Sequence, residues 1–337
     1  MPFQVTIQPS GHQFQMTEGE TLLESATREG FALRHGCRNG ACGSCKGKVL
    51  AGQVDYGQYQ ASALSENEKQ VGMALFCTAI PLSDVVIECK EIGSARDIPI
   101  KTMPCRVQTL RRLAPDVMEL HLKLPANERL EFLAGQYIDI LLKDGKRRSF
   151  SLANAPNDDA FLQLHIRHVP GGLFTDAVFG QMEEKTILRF DGPHGSFYLR
   201  DDSDKPIIFM AGGTGFAPIK SVLEQAFHAH SKRQMALYWG ARSRQDLYMG
   251  HLASQWQKAH PNFTFIPVLS EPAPEDRWPG RTGLVHQAIL DDIDTLENHQ
   301  IYACGAPKMV SVGKQAFLAR GLHEEDFFAD AFTFAPN

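Results

Sequence analysis

The alternation of apolar and polar positions divides the chain into three stretches with different rhythms. Residues 3–8 alternate with a period of two and predict a strand. Residues 21–29 predict one short helix, and 47–54 and 85–89 predict further strands. Residues 92–104 mix Gly, Ser, Asp and two prolines without a period and read as a linker. From 105 to about 198 the pattern is short alternating strands at 117–124, 137–142, 147–152 and 162–169, with a single helical segment at 173–179. Strands so spaced predict an antiparallel barrel. Beyond Pro206 a continuous apolar run at 206–211 leads through a glycine turn into a helix ending near 230. Strands at 235–240, 263–269 and 301–304 then alternate with helices at 251–260, 285–292 and 308–320. That order predicts a parallel, doubly wound sheet. The expected organisation is multidomain α+β and α/β: a module at 1–92, a linker at 93–103, a barrel at 104–203 and a nucleotide-type domain at 204–337.

Composition narrows the class. The chain has 337 residues, 43% of them hydrophobic, and a formal charge of −5. This balance excludes a strongly basic nucleic-acid binder and an acidic disordered tail. No window reaches the ~18 apolar residues of a membrane helix, and the opening MPFQVTIQPSGHQF shows neither a signal core nor a transit pattern. The expectation is a cytoplasmic protein with no nucleic-acid and no membrane partner. Four of the seven cysteines crowd into the first quarter. An odd, clustered set does not suit a disulfide scaffold and points to a metal centre.

Cys37, Cys42 and Cys45, with Cys77 further on, have the C-x4-C-x2-C…C layout of a plant-type 2Fe–2S loop. Gly36, Gly40 and Gly43 let the loop wrap tightly and turn amide N–H groups toward sulfur. The alternative is a structural zinc site, but zinc knuckles use two similarly spaced pairs, and here only one pair is close. Cys89 and Cys105 read as inert core thiols.

Two further segments carry chemistry. In Arg147-Arg148-Ser149-Phe150-Ser151-Leu152, Arg148 suits a phosphate, Phe150 a cofactor ring and Ser151 a ring heteroatom. A solvated Arg beside a core Phe would give the same pattern. Next, Gly171 and Gly172 precede a helix, making an anion site to which Thr175 adds a hydroxyl. His165 and His168 point to opposite sides of a strand and do not converge on a metal. Gly212, Gly213, Thr214, Gly215 and Pro218 form a glycine turn between a buried strand and a helix, where a pyrophosphate can approach. The turn has neither a Walker lysine nor the GxGxxG spacing. Cys304 and Gly305 end a later strand at the crevice edge, unless Cys304 is a core thiol. Arg242 and Arg244 could hold a ribose 2′-phosphate that Asp246 would oppose, leaving NADH and NADPH both open.

With these signals in this order, the chain resembles the iron–sulfur flavoprotein reductases of the ferredoxin–NADP reductase superfamily along essentially its whole length. The resemblance implies an N-terminal β-grasp ferredoxin, an FAD-binding barrel and a C-terminal NAD(P) domain, with FAD, a 2Fe–2S cluster and NADH or NADPH as cofactors. It implies that Cys37, Cys42, Cys45 and Cys77 ligate the cluster, and that Arg148 and Thr175 hold the FAD pyrophosphate. Phe150 would pack along the flavin, Ser151 would lie near N5, and Cys304 would flank the nicotinamide. Phe332 would cover the flavin from the terminal segment Phe327-Phe328-Ala329-Asp330-Ala331-Phe332. Ser149, His165 and Arg167 join Gly171, Gly172, the 212–218 turn, Arg242 and Gly305 as cofactor-binding candidates. The family has Tyr where Phe150 stands, so a phenolic hydrogen bond is lost. The implied activity is hydride uptake by FAD, single-electron transfer to the cluster and delivery to an acceptor protein. The segments PCRVQTL, AGQYIDILL, RRSFSLANAP and AGGTGFAPIKS look closest to reductases serving a pyridoxamine-phosphate-dependent sugar dehydratase. An oxygenase component is the alternative acceptor, and a zinc-bound, non-redox module the alternative class. The small net charge of residues 1–91 fits a carrier fused to its reductase, where steering matters less.

Overall fold

The computed structural model describes residues 3–89, 91 and 98–333. It has two compact units, one built on Met1–Pro99 and one on Ile100–Phe332. The first contains β1 (Gln4–Gln8), β2 (Gln13–Gln15), α1 (Leu22–Arg28), β3 (Lys46–Ala51), β4 (Val54–Asp55), α2 (Glu66–Gln70), β5 (Met73–Leu75), β6 (Ile80–Pro81) and β7 (Val85–Glu88). Its sheet runs β2-β1-β7-β3-β5, with β1 and β7 parallel. Thr21 and Glu24 form a reciprocal cap that starts α1. The helix buries Leu22, Leu23 and Ala26 in a core with Val5, Ile7, Phe76 and Ile87. The cysteine loop leaves α1 and returns as β3, so the expected 2Fe–2S module is a ferredoxin-type fold.

The second unit begins with a barrel of β8 (Lys101–Ala114), β9 (Val117–Lys123), β10 (Tyr137–Leu141), β11 (Arg147–Ser151), β12 (Leu162–Arg167) and β13 (Ile187–His194), plus α3 (Leu173–Gly180). The antiparallel order is β11-β10-β13-β8-β9-β12, and a bridge between Leu152 and Leu164 brings the ends together. Alternate residues, among them Val107, Leu120, Ile138, Ile166 and Phe190, fill its interior. β8 starts at Lys101, inside the stretch expected to be linker, because it pairs with β13 from Gly192 inward. Residues 92–97 of that stretch lie outside the described residues.

A six-stranded parallel sheet follows: β14 (Ile207–Gly212), α4 (Phe216–His228), β15 (Met235–Ala241), α5 (Gly250–Ala259), β16 (Phe263–Leu269), β17 (Arg281–Thr282), α6 (Val285–Asp292), β18 (Gln300–Gly305), α7 (Pro307–Ala319) and β19 (Phe327–Ala331). Its order, β17-β16-β15-β14-β18-β19, reverses direction beside β14, which puts the ligand crevice at the carboxyl ends of β14 and β18. Ala114, Val117, Ala134 and Phe197 of the barrel share one core with Phe209, Phe216, Trp239 and Tyr302 of the sheet. Barrel and sheet are therefore welded into one body, which lets residues far apart in sequence meet at their junction.

Candidate redox site

In the first unit the loop after α1 brings the four cysteines together in two pairs. Cys37 and Cys42 exchange backbone N–H to sulfur hydrogen bonds at 3.3 Å each, and the Ser44 N–H reaches Cys42 Sγ at 3.5 Å. Cys45 Sγ stands 3.1 Å from Cys77 Sγ. The hydrogen bond from Cys42, with the backbone N–H groups of Asn39, Ala41 and Cys42, pushes the Cys37 thiol down to about 6. Cys77 is lowered by its bond from Cys45, with the Gly40 N–H adding to the effect. Loop amides thus aim at sulfur and favour the thiolates of Cys37 and Cys77, while the neighbouring sulfur and burial push Cys42 and Cys45 up; four cysteines gathered in two close pairs are the donor set a 2Fe–2S cluster needs.

In the second unit β11 pairs residue by residue with β10, setting Phe150 opposite Ile138 and Ser149 opposite Asp139. Phe150 lies against Phe174, with ring centroids 5.2 Å apart. Arg148 is half-buried, and its Nη1 donates to the Arg147 carbonyl at 2.9 Å. Ser149 turns to the other side and donates to Asp139 Oδ1 at 2.5 Å, which supports the strand pairing. Ser151 is buried and donates to Asp330 Oδ2 at 3.5 Å across 179 residues. Asp330 pairs in register with Cys304, and the Phe332 N–H donates to the Gly305 carbonyl at 2.8 Å. Ser151, Asp330, Cys304 and Phe332 therefore converge where β11 meets the ends of β18 and β19.

The glycine turn sits beside this point. A Cβ on Gly215 would lie 2.1 Å from the Cys304 carbonyl oxygen, so only glycine allows β18 this close. Gly213 has φ +54° and lies under the Arg167 guanidinium, whose Nη1 would be 2.9 Å from a Cβ there. Arg167 forms an ion pair from Nε to Asp116 Oδ2 at 3.3 Å. Its buried Nη2 has no hydrogen-bond partner among the described residues. A buried, unfilled guanidinium donor over a glycine turn suits a pyrophosphate. Thr214 and Pro218 are buried, one in the turn and one in the first turn of α4.

Other candidate residues already have partners within the protein. The fully buried His165 ring bonds Tyr248 Oη at 3.0 Å and faces Glu119 at 3.8 Å. Burial lowers its pKa; Nδ1 ties barrel to sheet through Tyr248, while the buried Nε2 has no hydrogen-bond partner among the described residues. His168 pairs separately with Asp176 at 2.8 Å, so the two histidines do not converge. The Thr175 hydroxyl donates to the Val169 carbonyl at 2.9 Å, and the Gly171 N–H is taken by Asp176 Oδ2 at 3.1 Å. Thr175, Gly171 and Gly172 thus shape the turn before α3. Cys304 is fully buried, and burial followed by the charge of Asp330 pushes its thiol well up. Arg242 is exposed at the end of β15, while Asp246 caps a turn by accepting from Ser243 N and Oγ at 3.0 Å each. Sequence reading missed Asp330 and Asp116. The visible signal for Asp330 was a lone carboxylate in an otherwise apolar terminal strand.

Comparisons with known proteins agree with this arrangement. The models for a 2Fe-2S iron-sulfur cluster binding domain, an oxidoreductase FAD-binding domain and an oxidoreductase NAD-binding domain match residues 5–82, 104–198 and 209–315. The chain is 36% identical over 333 residues, 99% of each chain, to the CDP-6-deoxy-L-threo-D-glycero-4-hexulose-3-dehydrase reductase of Yersinia pestis. It is 34% identical to the phenol 2-monooxygenase reductase component DmpP of Pseudomonas sp. strain CF600, covering 98% of this chain and 95% of that one. Among solved structures, the Amycolatopsis cytochrome P450 reductase GcoB matches at 33% identity and a TM-score of 0.80, over 98% of both chains. The chain belongs to the iron–sulfur flavoprotein reductases of the ferredoxin–NADP reductase superfamily. It is an NAD(P)H-dependent electron-transfer reductase that uses FAD and a 2Fe–2S cluster and hands electrons to an acceptor protein. No helix among the described residues is long and apolar enough to cross a membrane.

Proposed function

We propose that the acceptor is a pyridoxamine-phosphate-dependent dehydratase acting on a nucleotide-linked deoxysugar, and that the protein works in the cytoplasm. The observation that carries the reading is end-to-end similarity, at 36%, to reductases named for such a dehydrase. Seven cysteines without a disulfide among them fit a reducing compartment. FAD, when bound, converts the two-electron hydride of NAD(P)H into the single electrons a 2Fe–2S cluster accepts.

The chain's own residues position and shield. Arg167 holds the dinucleotide pyrophosphate over Gly213, and Gly215 lets the turn close on β18. Arg148 and the backbone before α3 hold the FAD phosphates, and Phe150 and Phe332 pack along the flavin. Ser151, backed by Asp330, offers a hydroxyl at the reacting edge and a route for a proton, while Cys304 keeps the nicotinamide side dry. Cys37, Cys42, Cys45 and Cys77 ligate the cluster, whose amide-rich loop tunes its potential.

The test is anaerobic. The holoprotein is reduced with NADH and mixed with substrate-loaded dehydratase or with an oxygenase component, following flavin and cluster absorbance. Fast reoxidation by the dehydratase alone supports the proposal. Fast reoxidation by the oxygenase component alone would move the acceptor to hydroxylation chemistry, the reading favoured by the 34% identity to DmpP.

A further inference from the structure

Lys220 lies on α4, one turn beyond the glycine turn, and is only 5% exposed. All three of its ammonium protons have acceptors: the Ala153 carbonyl at 3.0 Å, Glu224 Oε2 at 2.8 Å and Gln163 Oε1 at 3.4 Å. The next residue, Ser221, is fully buried and donates to the Asn154 carbonyl at 2.6 Å. Two adjacent side chains of α4 are thus bolted to two adjacent carbonyls of the segment that leaves β11. That segment is itself fixed, since Leu152 N–H donates to Gln136 O at 2.9 Å and Ala153 N–H to Gln163 O at 2.8 Å. At 1.5 Å per helical residue, Lys220 stands roughly 7 Å along the axis from Gly215, and Ala153 roughly 7 Å along the strand from Ser151. An apolar side chain could fill this space without the desolvation cost of a buried ammonium. What the lysine adds is direction.

We infer that Lys220, seconded by Ser221, is a positioning residue for hydride transfer, holding the helix behind the nicotinamide turn in register with the flavin strand. The inference rests on the assignment of β11 to FAD and of the 212–218 turn to NAD(P)H. When both cofactors are bound they would supply hydride transfer from NAD(P)H to FAD, and Lys220 and Ser221 would fix the register of the two elements that hold them. Because a displacement of about 1 Å can cost a hundredfold in rate, a loosened bolt should appear in the transfer step before it appears in binding.

The experiment uses full-length, FAD- and cluster-loaded protein with Lys220→Met, Lys220→Arg and Ser221→Ala. Flavin bleaching by NADH and by C4-deuterated NADH is followed by stopped flow. Amide exchange is measured separately without NADH. Lys220→Met should slow transfer at saturating NADH on the order of 10-fold, with NADH affinity within about twofold and a larger isotope effect. Its amides at 152–154 and 213–217 should exchange faster together, and Lys220→Arg should recover part of the rate. Unchanged transfer rate and isotope effect, with only a lower melting temperature, would overturn the inference. If Lys220→Met does not fold, the smaller Ser221→Ala lesion decides by the same readouts. Failure of NADH to bleach the unaltered protein would instead overturn the cofactor assignment, and the inference with it.

Discussion

Replacing Gly40 with alanine tests whether the cysteine loop is built around a cluster. Gly40 has φ +75°, and a Cβ there would lie 2.7 Å from the Gln58 carbonyl oxygen and 3.0 Å from both Thr78 Cγ2 and Tyr59 Cα. Two of these three neighbours are backbone, and the Gly40 carbonyl also accepts from Gln60 N–H at 3.0 Å, so the segment cannot move aside freely. The left-handed backbone costs an L-residue roughly 1–2 kcal/mol, and the overpacking adds roughly 1–3 kcal/mol. Together, about 2–5 kcal/mol would fall on the loop that aims its amides at Cys37 and Cys77. Gly11 supplies a matched control, with φ +74° but nothing within 4 Å of the point a Cβ would occupy. Iron and acid-labile sulfide per flavin, with the spectrum of the dithionite-reduced cluster, should show Gly40→Ala depleted and Gly11→Ala full. Flavin content and NADH bleaching should be unchanged in both. A Gly40→Ala protein with a full, equally stable cluster would refute the reasoning.

Two predictions concern the second unit. Arg167→Ala removes charge-assisted hydrogen bonds worth about 1.5–3 kcal/mol, so NADH should bind roughly 10- to 150-fold more weakly. Titration of the flavin-loaded variant checks this, and affinity within about twofold of the parent would contradict the pyrophosphate role. Acid should weaken the barrel through Glu119 and Asp191. Burial works against the Glu119 charge, yet His121, His165 and Arg111 hold its carboxyl well below the ordinary range. The His194 hydrogen bond does the same for Asp191, against burial and with help from Arg147 and Thr102. A lowered folded pKa means the stabilisation is complete above the ordinary values of 4.5 and 3.8 and is lost as pH falls through and below them. The urea midpoint should therefore fall below about pH 4.5, and Glu119→Gln should flatten that fall; an equal slope in the variant would contradict it.

What could be read from the sequence follows the range of the interactions. Strand β16 and helix α6 occupy the expected residues 263–269 and 285–292, the strand burying Phe263, Val268 and Leu269 and the helix Val285, Ala288 and Ile289. The cysteine loop was legible because its ligands are local in sequence and its glycines sit between them. Helix α2 buries no residue and has no apolar face to give a period, so only its Ser65–Glu68 cap could have marked it. β8 alternates as far as Val107, with Pro104 on its exposed side, but bulges between Val107 and Thr109 and between Arg112 and Ala114 break the pattern beyond, which hid its length. The contacts that complete the second site join distant parts of the chain: Ser151 with Asp330, His165 with Tyr248, and Lys220 with Ala153. No local pattern announces such pairs, because the weld between barrel and sheet creates them.

The order of electron flow is tested most directly by taking away the cluster while keeping the flavin. A Cys42→Ser protein, loaded with FAD and mixed anaerobically with NADH, should bleach its flavin at the parent rate yet fail to reduce the acceptor protein. Full-rate reduction of that acceptor by the cluster-free protein would contradict the route from NAD(P)H through FAD and the 2Fe–2S centre.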